Sequence, residues 1–293
     1  MLVSAGANRS WLFVPGDRPD RFARALGSGT HAVIFDLEDS VAEGQVETAR
    51  RSLSQLLSAD RQVARVQQLV RVRESAPYPR LHADLAAVVH PGLDGLVLPK
   101  VDDVRVIVSI NAALDVWESL RGLAPGQTRI AVLVESPSAL MVAAELAGAS
   151  PRLTALCFGA EDYATATGLA ADDSSAGLIH ARAELAMASH AAGVEAVDMV
   201  SREFRDLEAL QRSVRRGRSL GFSGKLAIHP DQVATINAGF RANAAEVERA
   251  QRIVQAYDDA GLDDRGVMSV DGEMVDAPVV ERARQLLADA ERP

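Results

Sequence analysis

The chain has 293 residues, a net charge of −9, and 48% hydrophobic but only 4% aromatic residues. It can bury a large core, as one α/β barrel or as two smaller domains, and its acidic balance argues against non-specific nucleic-acid binding while allowing local basic pockets. The single cysteine, Cys157, excludes an intrachain disulfide and a thiolate metal cluster; no run of about 18 apolar residues marks a membrane span, and MLVSAGANRS lacks a signal peptide's apolar stretch, so a soluble cytoplasmic protein is expected.

Short apolar runs recur along the chain, each followed by polar residues and then by a helical pattern. Trp11–Val14 leads into Pro15, Gly16, Asp17 and Arg18. Ala32–Leu37 ends in the acids Asp36, Glu38 and Asp39, ahead of a helix over 41–57. Leu69–Val72 carries Arg71 and Arg73, and Gly95–Leu98 ends at Lys100, before a helix over 104–120. Ile130–Val134 is followed by Glu135 and a helix over 139–146. Ala155–Phe158 is followed by Glu161 and Asp162, and a helix over 178–192. Ala196–Val200 contains Asp198 and precedes a helix over 207–220. Lys225–Ile228 ends at His229. Runs rich in Val, Leu and Ile suit strands buried on both faces, and their alternation with helices predicts βα units and a parallel sheet. Eight such units in about 230 residues match a TIM barrel. The alternative, a doubly wound open sheet, usually carries a Gly-rich phosphate turn after its first strand, where this chain has VPGDRP. The barrel is assigned to residues 1–242. Residues 243–293 form an extension: a helix over 244–260, a loop or hairpin with Gly261, Gly266 and Gly272 as turn residues, and a last helix after Pro278. This extension is expected to cover the site or pack on a neighbouring subunit.

On a barrel the polar strand ends converge on one face. Acids ending a buried strand are costly unless paired, hydrogen-bonded or metal-bound. Glu135 and Asp162 suit a magnesium site, because Mg²⁺ takes one or two carboxylates plus waters and substrate oxygens; alternatively each pairs with Arg71 or Lys100, or caps the following helix. Glu161 is the weaker ligand, since neighbours on a strand face opposite ways. Arg71 and Arg73 share a strand parity and can both face the interior, to bind a carboxylate, stabilise an oxyanion or pair with an acid. Lys100 reads as a Schiff-base lysine if desolvated, otherwise as a partner for the surrounding acids. His229 reads as a base or a structural hydrogen-bonder, Arg18 as a phosphate contact, and Cys157 as a buried inert thiol.

Taken together, LFVPGDRPDRFARAL, VIFDLEDSV, LVRVR, LDGLVLPKV, AVLVES, PRLTALCFGAEDYA, GFSGKLAIHPDQV and GEMVDAPVVERA resemble, in order and over nearly the whole chain, the citrate lyase beta-subunit-like family of the HpcH/HpaI aldolase superfamily. The resemblance implies a TIM barrel with Mg²⁺ that makes or breaks a carbon–carbon bond beside a coenzyme A thioester, of the citryl, malyl or citramalyl type, releasing an acyl-CoA and an oxo acid. It implies Glu135 and Asp162 as metal carboxylates, Arg71 as the arginine of VRVN, and Asp36, Glu38 and Asp39 at the family's acidic strand end. Asp276 would be an acid delivered onto a neighbouring subunit's site, which implies a homo-oligomer, a trimer or hexamer. Arg18 and the Lys225–His229 segment fall in stretches tied to coenzyme A and substrate, as do Arg73 and Lys100 by position. The alternatives are an acyl-CoA thioesterase on the same site, a non-catalytic CoA-binding subunit, or an aldolase on free hydroxy-oxo acids. The chain departs from the family pattern at Arg73, where Asn is usual, and at Ser136 and Ala139, where Thr and Gly are usual. It also lacks an arginine after GAEDYA.

Overall fold

The computed structural model describes residues 8–59, 66–73, 78–261 and 266–291; most of MLVSAGANRS and part of the 261–266 loop lie outside these. Eight parallel strands close into a barrel in chain order. They are β1 (Ser10–Pro15), β2 (Ala32–Asp36), β3 (Gln67–Arg71), β4 (Gly95–Leu98), β5 (Arg129–Val134), β6 (Leu153–Phe158), β7 (Glu195–Asp198) and β8 (Gly224–Ala227). Around them run α1 (Phe22–Leu26), α2 (Val46–Ser58), α3 (Tyr78–Val88), α4 (Val104–Arg121), α5 (Pro137–Met141), α6 (Ala143–Gly148), α7 (Ala160–Thr167), α8 (Ala176–Ala192), α9 (Leu207–Ser219) and α10 (Val233–Phe240). The helix expected over 139–146 is two short ones, broken at Val142. Among the described residues no helix is long and apolar enough to cross a membrane.

Strand parity decides what reaches the site. Trp11, Ile34, Leu69, Val97, Leu133, Cys157, Val197 and Leu226 pack into one cluster that fills the barrel, as TIM-barrel interiors are filled by layers from successive strands. Two residues beyond Ile34, Leu69 and Leu133 stand Asp36, Arg71 and Glu135, so all three project inward at the C-terminal mouth. Register reinforces this, since Asp36 lies directly opposite Arg71 on the neighbouring strand. Cys157 is fully buried in the interior and burial pushes its thiol up, consistent with an inert side chain.

Asp198 has the opposite parity. It and Lys225, its register partner, face the helix layer, where Arg182 of α8 reaches both Asp198 oxygens (2.9 and 2.8 Å) and Lys225 Nζ lies 3.1 Å from Oδ2. All three side chains are fully buried. Arg182 also donates to Asp173 Oδ1 (2.6 Å). Gly217 on α9 lies against this cluster, and a Cβ there would sit 2.6 Å from Asp198 Oδ2. Asp198 therefore belongs to the packing between sheet and helices, which corrects its placement among the residues of the active face.

The contacts divide the chain into two compact units, Met1–Ala238 and Gly239–Pro293. In the second, α11 (Ala244–Asp259) starts with a capping box in which Asn243 and Glu246 exchange side-chain-to-backbone bonds (2.9 and 2.8 Å). A hairpin of β9 (Met268–Val270) and β10 (Glu273–Val275) follows. Its turn is Asp271-Gly272, both at positive φ (53° and 82°), the pattern of a type I′ turn. The last helix, α12 (Ala277–Ala290), packs with α11 and β10 through Ile253, Tyr257, Val275 and Val280.

Candidate active site

The mouth of the barrel is organised around Arg71. Its Nε and Nη2 grip the two oxygens of buried Asp36 (2.6 and 2.7 Å), a bidentate pair of the strongest kind. Its Nη1 lies 3.0 Å from Glu38 Oε2 and 3.2 Å from Asp39 Oδ2. The guanidinium stands over the Phe13 ring, 5.0 Å from its centroid. Asp36 also accepts from the N–H of Glu38 (3.0 Å) and from Ser40 Oγ (2.6 Å). Burial works to raise the Asp36 carboxyl, but the Arg71 fork and these donors outweigh it and hold the group below its usual range. Asp36 is thus a fixed anion that orients Arg71.

Glu38 bridges Arg71 and Lys100, whose Nζ is 3.0 Å from Glu38 Oε1. Its carboxyl is nonetheless raised by burial and by neighbouring Asp39, against the pull of the two cations. Lys100 is 41% exposed, so it lacks the desolvation that a Schiff-base lysine requires; it acts here as a charge partner. Its backbone has φ 54°, a left-handed conformation that costs a non-glycine residue roughly 1–2 kcal/mol. The compensation is visible: its N–H donates to Glu135 Oε1 at 2.6 Å.

Glu135, one residue beyond β5, is buried. Burial, then the negative charges of Glu38 and Asp162, push its carboxyl up to about 8. Asp162 and Glu161 lie in the first turn of α7, not on a strand. Asp162 is close enough to act electrostatically on Glu135, whereas Glu161 turns to Arg202 (3.3 Å). The divergence of these neighbours comes from the 100° step of a helix, not from strand alternation. Room for Glu135 is made by Gly159, where a Cβ would lie 2.5 Å from Glu135 Cβ and 2.9 Å from Oε2. Nothing in the sequence distinguished Gly159 from an ordinary turn glycine.

These residues fit a divalent cation. Glu135 is pushed toward its neutral form by burial first and by Glu38 and Asp162 second, with Arg71 as its opposing cation, so a metal ion would add counter-charge there. The donors are hard oxygens. Among the described residues no group of three or more His, Cys, Asp and Glu side chains is arranged to hold a metal; Mg²⁺ generally takes one or two protein carboxylates and fills its shell with water and substrate.

The remaining sequence candidates are placed as follows. Arg73 pairs with Glu43, and its N–H donates to Asp84 Oδ2 (2.9 Å). Arg18 is half-exposed on the turn after β1 and forks onto Asp20 (3.0 and 2.9 Å). His229 caps the helical turn after β8, accepting from the N–H of Asp231 (3.2 Å), and stacks on Phe204 with centroids 4.6 Å apart. Asp276 caps α12 in the second unit, accepting from the N–H of Val279 (3.2 Å).

The profile of the HpcH/HpaI aldolase/citrate lyase family matches residues 9–230. The chain belongs to this family. A second profile, for carbon–carbon bond lyases of the TIM-barrel fold, matches residues 178–291. Among curated relatives in this family, the citrate lyase subunit beta of Escherichia coli K12 is 34% identical over 97% of this chain and 93% of its own length. A (3S)-malyl-CoA thioesterase of Cereibacter sphaeroides is 33% identical over 99% and 97%. Among solved structures, that of CitE from Mycobacterium tuberculosis in complex with magnesium, acetoacetate and coenzyme A covers 99% of this chain and 100% of its own. It has 29% identity and a TM-score of 0.79. The relatives thus include a citrate lyase subunit and a malyl-CoA thioesterase.

Proposed function

We propose that the protein is a Mg²⁺-dependent lyase that cleaves or forms a 3-hydroxyacyl-CoA of the malyl, citramalyl or citryl type, giving an acyl-CoA and an oxo acid. The observation that carries this reading is Glu135, buried, crowded by Glu38 and Asp162, and facing the Arg71 cluster at the mouth of the barrel. The magnesium and coenzyme A bound by the Mycobacterium tuberculosis relative support it.

Glu135 and Asp162 would hold the ion, which when bound supplies Lewis-acid polarisation of the oxo-acid oxygens. Arg71, locked by Asp36, needs no reorganisation to meet negative charge developing on the thioester enolate, and a preorganised donor of this kind is worth about 10²–10³ in rate. Glu38 and Lys100 set the potential around it. Asp276 is the proposed acid–base residue, taking the hydroxyl proton as the bond breaks or an acyl-methyl proton in reverse, on a neighbouring subunit's site in a homo-oligomer. Arg18 is the proposed contact for coenzyme A phosphates, exchanging Asp20 for the ligand, and His229 lies on the same proposed CoA path.

The thioesterase relative favours a second reading, hydrolysis of the same thioester. Incubating a panel of hydroxyacyl-CoA thioesters with Mg²⁺ and reading products by mass spectrometry separates the two. The lyase gives an acyl-CoA with an oxo acid; the thioesterase gives free CoA with the intact hydroxy acid. No turnover of any panel member would refute both.

A further inference from the structure

Five carboxyl groups gather at the mouth, Asp36, Glu38, Asp39, Glu135 and Asp162, with Arg71 and Lys100 as the cations paired among them. Arg71 is committed to three acids and Lys100 to Glu38. A substrate with a second carboxylate, beyond the charge met by Arg71 and the ion, gains from a further cation whose own partner is easily displaced.

Arg73 meets that description. It lies two residues beyond Arg71, in the bend that follows β3. Both arginines turn toward the segment after β2, Arg71 to Glu38 and Asp39, Arg73 to Glu43. The Arg73 side chain is only 13% exposed, whereas that of Glu43 is 73% exposed. An exposed carboxylate gives up little by returning to water, since such pairs are worth about 0–1 kcal/mol. The arginine is less free to move. Its N–H is bound by Asp84 Oδ2 at 2.9 Å, and fully buried Asp84 is itself gripped by Arg50 (2.8 and 2.6 Å). The Arg73 backbone is thus anchored, while its guanidinium is largely buried and paired with a solvent-facing acid. Arg202 at the exit of β7 is the rival, but it is 64% exposed and its partner Glu161 is 49% exposed, an ordinary solvated surface pair.

We propose that Arg73 is a specificity-determining residue that exchanges Glu43 for a second carboxylate of the substrate, so that the site selects an oxo acid carrying two carboxylates over one carrying a single carboxylate. This rests on the reading of the site given above. The probes are a matched pair of 2-oxo acids, pyruvate and oxaloacetate, titrated calorimetrically in the presence of Mg²⁺ into the wild type, Arg73→Gln and Glu43→Gln. The wild type should bind the dicarboxylate roughly 10- to 100-fold more tightly, the range for hydrogen bonds to charged groups. Arg73→Gln should abolish that preference and leave pyruvate affinity unchanged. Glu43→Gln, which removes only an exposed side chain, should strengthen dicarboxylate binding and keep the fold intact. Equal affinity of the wild type for both acids, or a loss of both on Arg73→Gln in a protein that melts normally, would overturn the proposal. If neither acid binds the wild type, the functional reading beneath it fails, and the proposal with it.

Discussion

Replacing Gly159 by alanine tests whether Glu135 is positioned as the structure shows. Gly159 has φ −90° and ψ 80°, a conformation with negative φ that alanine can share, so the added methyl acts by collision alone. Its Cβ would stand 2.5 Å from Glu135 Cβ and 3.4 Å from Glu135 Cα, where carbon atoms prefer roughly 3.5–4.0 Å. No rotamer change relieves a clash with a Cβ, because the backbone fixes that atom. Either the exit of β5 or the Gly159 turn must give by about 1 Å. Gly159 N–H is bonded to Val134 O at 3.0 Å, so the two cannot part without breaking the barrel ladder. Overpacking of this kind costs about 1–3 kcal/mol, and a 1 Å misplacement at a reacting centre costs on the order of 10²-fold in rate. Gly159→Ala should therefore melt a few degrees lower yet lose most of its Mg²⁺ affinity, measured by calorimetry, and about 10²-fold in kcat/KM on the best thioester of the panel. Wild-type Mg²⁺ affinity in a folded Gly159→Ala variant would show that the Gly159 contact does not position Glu135 for the ion.

Two further predictions concern parts of the molecule away from the mouth. Asp198→Ala should leave buried Arg182 without its fork and Lys225 without its counter-charge, a loss of about 3–5 kcal/mol in denaturant unfolding; Mg²⁺ affinity should be unchanged in the fraction that folds, and a selective loss of metal binding would put Asp198 back at the active site. Glu118 on α4 accepts from both Nη atoms of Arg152 (2.7 Å each) and from the N–H groups of Gly126 and Thr128 (2.8 and 2.7 Å). Burial opposes its charge, but these donors hold the carboxyl at about 2 against an ordinary 4.5. A depressed folded value means that the stability is present above pH ~4.5 and is lost as pH falls toward 2, by up to about 3 kcal/mol. Urea midpoints followed from pH 6 to pH 3 should drop more steeply in the wild type than in Glu118→Gln; parallel curves would show that this pair does not set acid stability.

Much of the barrel is legible in the sequence because parallel strands covered on both faces become continuous apolar runs. The same property hides side-chain direction. A run such as Glu195–Val200 has no polar–apolar alternation to reveal parity, which is why Asp198 reads as a mouth residue although it faces the helices. Glu161 and Asp162 read as a strand end because their helix begins within two residues of Gly159. The short helix α3 carries Asp84, whose hold on the Arg73 backbone no local pattern announces. Asp36, Arg71 and Glu135 were legible as candidates, since charged residues closing apolar runs are unusual. Their mutual pairing depends on register and barrel closure, which only the three-dimensional structure supplies.

If Glu135 and Asp162 hold a magnesium ion that the chemistry requires, removing either carboxylate weakens its binding. Isothermal titration of Mg²⁺ into the wild type, Glu135→Gln and Asp162→Asn, with melting curves run in parallel, tests it most directly. The Glu135→Gln change should leave stability near that of the wild type, because burial already favours the neutral carboxyl. One ion should bind the wild type, and each variant should lose at least tenfold in affinity at unchanged fold. Equal Mg²⁺ affinity in all three proteins would contradict that assignment.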